Sequence, residues 1–207
     1  MVTIEQAAAS APRFYLASRS PRRRELLTQA GFAYAELPPG AADVDETPQA
    51  DEAPVDYVLR VAREKAAAGW RAVVAGNLGA LPVLSADTTV VVEGAIIGKP
   101  DDAAHAREML AMLSGRPHQV LTAVALAAAA GVVTRLSAST VEFRELAAAE
   151  IERYIASGES LDKAGGYGIQ GRAAVFVRAI SGSYSGIMGL PLFETAELLG
   201  SQGIFPG

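Results

Sequence analysis

The chain has 207 residues, of which 50% are hydrophobic and 20% charged, enough apolar material for one sizeable core and too much for a disordered segment. Its net charge of −5 argues against broad electrostatic capture of nucleic acid, so any phosphate binding must be local. The absence of cysteine excludes disulfides, thiolate metal sites and cysteine nucleophiles together.

Residues 1–12 lack the basic start and apolar core of a signal peptide. The longest apolar run, 120–133, falls short of the roughly 20 residues a membrane helix needs. A cytoplasmic protein without a membrane partner is expected. Residues 14–17 form a short apolar strand, followed by Ser18-Arg19-Ser20-Pro21 and a basic helix start at Arg22 and Arg23. Ser20 suits an N-cap, Pro21 the first helical position and Gly31 the stop. Arginines at this end oppose the helix dipole, where backbone amides already attract anions. The segment reads either as a phosphate cradle or as a solvated basic turn.

The turn-rich stretch 38–48 holds Asp43, Asp45 and Glu46, which either supply oxygen ligands to a hard cation or are simply solvated. A helix over 54–68 follows. At 100° per residue Val58, Leu59, Val61, Ala62 and Ala66 share a stripe, and Lys65 falls within it. An inward lysine either snorkels or faces an anion, and in the second case it is a stability liability while the site is empty. The β-branched run 83–100 reads as two strands joined by a tight turn at Glu93-Gly94. Asp87 sits inside it against propensity, so it is either a site carboxylate or a salt-bridged strand residue.

Asp102 caps a helix whose Ala106, Met109, Leu110 and Leu113 keep helical spacing up to Gly115. His105 and His118 lack the spacing of a zinc helix or a hydrolytic triad and read as structural. Residues 120–126 and 132–143 form a long hairpin, residues 147–157 a helix stopped by Gly158, 173–180 a strand and 192–199 a terminal helix. Between them the glycine-dense stretch from Asp162 through Gln170 to Gly171 suits close approach of backbone to a ligand, though it is neither a Walker loop nor a dinucleotide fingerprint. The mixture without strict alternation indicates an α/β fold with a mixed, strongly curved central sheet flanked by helices.

Several segments in order, namely Leu16-Ala-Ser-Arg-Ser-Pro-Arg-Arg-Arg-Glu-Leu-Leu27, Arg63-Glu-Lys-Ala66, Ala86-Asp-Thr-Thr-Val90, Gly98-Lys-Pro100, Leu113-Ser-Gly115 and Asp162-Lys-Ala-Gly through Gly168-Ile-Gln-Gly171, resemble the signature set of the Maf (septum formation inhibitor) family. The resemblance implies one domain over residues 14–200, with 1–13 as an N-terminal extension, and two lobes around a nucleotide cleft. It implies a nucleoside triphosphate pyrophosphatase that requires a divalent cation, works as a homodimer and is linked to arrest of cell division. By position, the family's proton-accepting carboxylate falls on Asp87, its basic contacts on Arg22, Arg23, Lys65, Lys99 and Lys163, its acidic ligand on Glu46 and its phosphate loop on Ser18. Glu46 and Asp87 are then the metal ligands, and an oxygen-only supply suits Mg²⁺ or Mn²⁺ better than zinc. Ala86-Asp87-Thr88, Tyr167-Gly168-Ile169-Gln170-Gly171 and Arg22 match the branch acting on dTTP and UTP, with Arg22, Thr88 and Gln170 setting the preference. Two other expectations compete: a pyrophosphatase of 7-methyl-GTP or another modified nucleotide, and a non-catalytic nucleotide-binding regulator of division.

Overall fold

A computed structural model describes residues 11–207, so most of the expected N-terminal extension lies outside the described residues. Strand β1 (Phe14–Ala17) leads through Ser20 into helix α1 (Pro21–Gln29), which Gly31 ends at φ 77°. Ser20 holds the N-cap position as the sequence indicates, but its side chain makes no capping bond. Strand β2 (Tyr34–Glu36) and a long irregular loop precede α2 (Pro54–Ala75). The hairpin of β3 (Val83–Val92) and β4 (Ala95–Ile97) turns at Glu93 and Gly94, both with positive φ. Next come α3 (Ala103–Leu113), β5 (Pro117–Ala128), β6 (Gly131–Phe143) and α4 (Ala148–Ala156). Short 3₁₀ turns occupy Ala164–Gly166 and Arg172–Phe176, and β7 (Val177–Ser181), α5 (Tyr184–Met188) and α6 (Leu192–Gly200) complete the chain.

The seven strands form one mixed sheet in the order β2-β1-β3-β5-β6-β7, with β4 paired to β3. β1 runs parallel to β2 and β3, while β3, β5, β6 and β7 form an antiparallel meander. Because side chains alternate across a strand, β3 and β5 present different residues to two helical layers. On one face Val91, Leu121, Ala123, Ala125 and Ala127 pack under Val58, Val61, Ala62 and Ala66 of α2. On the other, Leu84, Ala86, Val124 and Leu126 meet Leu26 and Leu27 of α1 and Leu198 and Leu199 of α6. Farther along that face Val90, Val120, Val141 and Phe143 join Leu110 and Leu113 of α3 and Ile151 and Tyr154 of α4.

Three elements depart from the sequence reading. α2 continues to Ala75, because Trp70 and Val73 carry its apolar face onward and Gly69 lies against the sheet. A Cβ at Gly69 would stand 2.8 Å from both Leu37 Cδ1 and Val83 Cγ1, so this glycine marks close packing and not a helix end. Residues 172–176 are 3₁₀ and not strand: Ala173 and Phe176 are buried three apart while Val175 is 69% exposed, the period of a 3₁₀ turn. The serine- and glycine-rich segment after β7 contains α5, whose first turn is held by Ser183 Oγ accepting from the Gly186 amide at 3.0 Å.

Candidate active site

The site is built on the middle of β3, where adjacent residues face opposite layers. Ser85 and Asp87 face α2: the Ser85 hydroxyl donates to the Ala62 carbonyl at 2.6 Å. Asp87 Oδ1 accepts from Lys65 Nζ, three residues farther along the same helix face, at 2.8 Å. The same ammonium lies 2.8 Å from Glu46 Oε1, on the loop before α2. Lys65 thus bridges two carboxylates with its side chain only 14% exposed, and it does not snorkel. Burial pushes the Glu46 carboxyl up, but the hydrogen bond and charge of Lys65, with Lys99 and Arg23 behind them, outweigh it and hold Glu46 below its ordinary value. Asp45 takes no part: its Oδ1 accepts from the Thr47 amide at 2.8 Å.

Thr88, next along the strand, faces α1 and α5. Its hydroxyl accepts from Arg23 Nη2 at 3.2 Å and from Thr122 Oγ1, across the sheet, at 3.1 Å. Arg23 also donates Nε to the Gly189 carbonyl at 2.7 Å, and Nη1 to the Ala86 carbonyl at 2.8 Å and to Ser18 Oγ at 3.2 Å. Of five guanidinium hydrogens, four are committed to the protein. Burial lowers the Arg23 pKa below its ordinary value, while the charge of Asp87 opposes the shift.

These groups line a cleft of about 1020 Å³, at the upper limit for small-molecule sites. Lys99, just beyond β4, lines it without a hydrogen bond or ion pair among the described residues. The glycine-dense segment forms another wall of the cleft. There Asp162 reaches Arg22 at 3.6 Å and Lys163 at 2.5 Å, and Lys163 Nζ also donates to the Glu159 carbonyl at 2.7 Å. Gln170 is exposed on that wall. Behind it Tyr167 Oη pairs with the buried His118 Nε2 at 2.8 Å. His105 stays near the Asp102 cap, contacting Asp101.

A family model described as "Maf-like protein" matches residues 13–202. The chain belongs to the Maf family. Among Maf relatives, a protein of Nitrosomonas europaea named dTTP/UTP pyrophosphatase is 54% identical over 195 residues, covering 92% of this chain and 94% of that one. Another of the same name from Salmonella typhimurium is 55% identical over 185 residues, covering 89% and 90%. The solved structure of the Staphylococcus aureus Ham1 protein overlaps 63% of this chain and 71% of that one at 15% identity, with a TM-score of 0.45.

The Maf resemblance placed ten residues at the site, and the structure brings Ser18, Arg22, Arg23, Glu46, Lys65, Asp87, Thr88, Lys99, Lys163 and Gln170 to one cleft. They do not all present free groups to it. The guanidinium of Arg23, the hydroxyl of Thr88 and the hydroxyl of Ser18 already serve one another, and Lys163 is held by Asp162 and Glu159. Sequence reasoning missed the supporting residues Thr122, Tyr154 and Glu159. Nothing in their spacing marks them, because their partners come from distant parts of the chain or depend on the course of the loop.

Proposed function

We propose that this chain hydrolyses dTTP and UTP to the nucleoside monophosphate and pyrophosphate, acting in the cytoplasm, with residues 14–200 as the catalytic domain. The observation that carries the proposal is the Lys65 ammonium set 2.8 Å from both Asp87 and Glu46 within the cleft. The shared name of relatives at 54% and 55% identity supports the pyrimidine preference.

In this reading water attacks the α-phosphorus, the bond to the bridging oxygen breaks, pyrophosphate leaves, and the Asp87 carboxylate takes the proton from water. Such a transfer requires placement and charge neutralisation more than covalent chemistry. Lys65 holds the Asp87 carboxylate in place, Lys99 and Arg22 compensate the triphosphate charge, and Lys163 adds to them with the ammonium hydrogen it does not give to Asp162 and Glu159. Arg23 holds Ser18, Thr88 and Gly189 in register, and its remaining hydrogen is available to a phosphate oxygen. Among the described residues no group of three or more His, Cys, Asp or Glu side chains could hold a metal ion. Two carboxylates, Glu46 and Asp87, nevertheless fit Mg²⁺ or Mn²⁺, which bind through one or two carboxylates together with substrate phosphates and waters. When bound, the ion supplies Lewis-acid polarisation of the phosphate and lowers the pKa of water. The Gln170 amide offers a donor and an acceptor matching the O4 and N3–H edge of uracil or thymine. The family resemblance extends the proposal to a homodimer and to a link with arrest of cell division.

The test is pyrophosphate release from a panel of dTTP, UTP, the other common triphosphates and 7-methyl-GTP, run after chelation and after adding back Mg²⁺ or Mn²⁺. Expected are a preference for dTTP and UTP and loss of turnover on chelation with the fold intact. Preference for 7-methyl-GTP would overturn the base assignment. Nucleotide binding without release from any triphosphate would point to the non-catalytic regulator.

A further inference from the structure

The loop from Glu159 to Gly171, whose residues between Asp162 and Gln170 line the cleft, has little regular structure beyond a 3₁₀ turn at Ala164–Gly166, yet it carries Lys163 and Gln170. One side chain organises it. Glu159 Oε1 accepts from Tyr154 Oη at 3.1 Å, and Oε2 accepts from the Arg172 amide at 3.0 Å. Tyr154 Oη in turn accepts from the Gly168 amide at 3.2 Å, and the Glu159 carbonyl accepts from Lys163 Nζ at 2.7 Å. The Glu159 carboxylate thus ties the end of the loop directly and its middle through Tyr154, while the backbone carbonyl of the same residue holds Lys163.

The loop's glycines fit this arrangement. A Cβ on Gly171 would lie 2.2 Å from Glu159 Oε1, and one on Gly168 would lie 2.8 Å from Lys163 Cε and 3.2 Å from Glu159 Oε1. The carboxylate occupies space that only glycine leaves open. Tyr154, 4% exposed, belongs to the core cluster with Phe143, Ile151 and Phe176, so the loop is referenced to the rigid sheet. A carboxylate accepting backbone N–H bonds is about twice as strong an acceptor as a neutral group.

We propose that Glu159 is a positioning residue that, with Tyr154, holds Lys163 and Gln170 against the nucleotide and thereby sets affinity and base preference. The proposal rests on the pyrophosphatase reading above. Its logic is pre-organisation: a loop already fixed in its bound form does not lose conformational freedom when the nucleotide arrives, and a displacement of ~1 Å at a reacting centre costs ~10²-fold.

The experiment compares Glu159→Ala, Glu159→Gln and Tyr154→Phe with the parent. It measures kcat and KM for dTTP, the dTTP-over-dCTP ratio of kcat/KM, melting temperature, and amide exchange at Gly168 and Arg172. Expected for Glu159→Ala and Tyr154→Phe are a KM raised about tenfold and a base ratio narrowed at least about fivefold, with faster exchange at both amides. Glu159→Gln, which keeps the shape and one acceptor, is expected to fall between them and the parent. A merely structural glutamate would lower the melting temperature and leave KM and base ratio per folded molecule within about twofold, and that result overturns the proposal. If the parent itself releases no pyrophosphate from dTTP or UTP, the pyrophosphatase reading fails. The exchange arm then still decides whether Glu159 holds the loop, since unchanged protection at Gly168 and Arg172 overturns it.

Discussion

At the scale of residues, the chemistry turns on how Lys65 is compensated. An inward lysine waiting for an anion would burden the empty site, but this one already neutralises two carboxylates at 2.8 Å. Removing it leaves Asp87, with only 8% of its side chain exposed, and Glu46 without a directly bonded cation, with only Arg23 and Lys99 farther off. Lys65→Met is therefore expected to lower stability as well as turnover. The loss is about 1–3 kcal/mol by urea titration, below the usual figure for breaking a buried pair because Glu46 is half-exposed. No change in the urea midpoint would show that the bridge contributes nothing in the empty site. Asp87→Asn leaves Lys65 paired with Glu46, so its fold is expected to persist while turnover falls at least ~10²-fold, the range for loss of a general base. Parent-like turnover would remove Asp87 from the mechanism. Asp87 was legible because an acid in a β-branched run contradicts propensity. The internal commitment of Arg23 was not, since its acceptors Ala86 and Gly189 are backbone carbonyls distant in sequence.

At the scale of elements, α2 shows local rules yielding to packing. The sequence reading stops this helix at residue 68, just before Gly69, and glycine in a helix interior costs about 1 kcal/mol relative to alanine. The sheet reverses the preference. Gly69→Ala would normally stabilise a helix, but here the added methyl meets Val83 Cγ1, a stiff β-branched side chain, at 2.8 Å. The expected outcome is a loss of about 1–3 kcal/mol in denaturant unfolding, the usual cost of overpacking. A gain in stability would mean that α2 can lift from the sheet, and with it Lys65 from Asp87. The β3–β4 hairpin and α3 were legible because their turn and cap are local: Glu93-Gly94 takes positive φ, and Asp102 Oδ1 accepts from the His105 amide at 2.8 Å.

At the scale of the molecule, acid stability divides into two windows. Burial pushes the His118 imidazole from its ordinary 6.5 down to about 4, with the Arg116 backbone offsetting only part of the shift. The unfolded chain therefore takes up this proton before the folded one does. The contribution is fully present above about pH 6.5 and is lost as pH falls toward 4, amounting to about 3 kcal/mol. Glu52 and Glu150, held at about 2 by hydrogen bonds from Arg60 and Arg144, lose their contributions only below about pH 4.5. Urea midpoints taken between pH 7 and 4 are expected to decline in the parent and to flatten in His118→Gln. A slope that survives the substitution would assign it to another group.

The sequence alone determined the class of fold, most of the strands and helices, the local caps and turns, and the set of residue types gathered at the cleft, because these follow from periodicity, short-range hydrogen bonds and motif order. Only the tertiary structure decided which of those groups face a ligand and which face one another. It seats Lys65 between Glu46 and Asp87, commits Arg23 to two carbonyls and two hydroxyls, and hangs the late loop on Glu159. The reason is physical. A polar side chain takes whichever partner the fold brings within about 3 Å, and partners separated by dozens of residues leave no periodic trace in the chain.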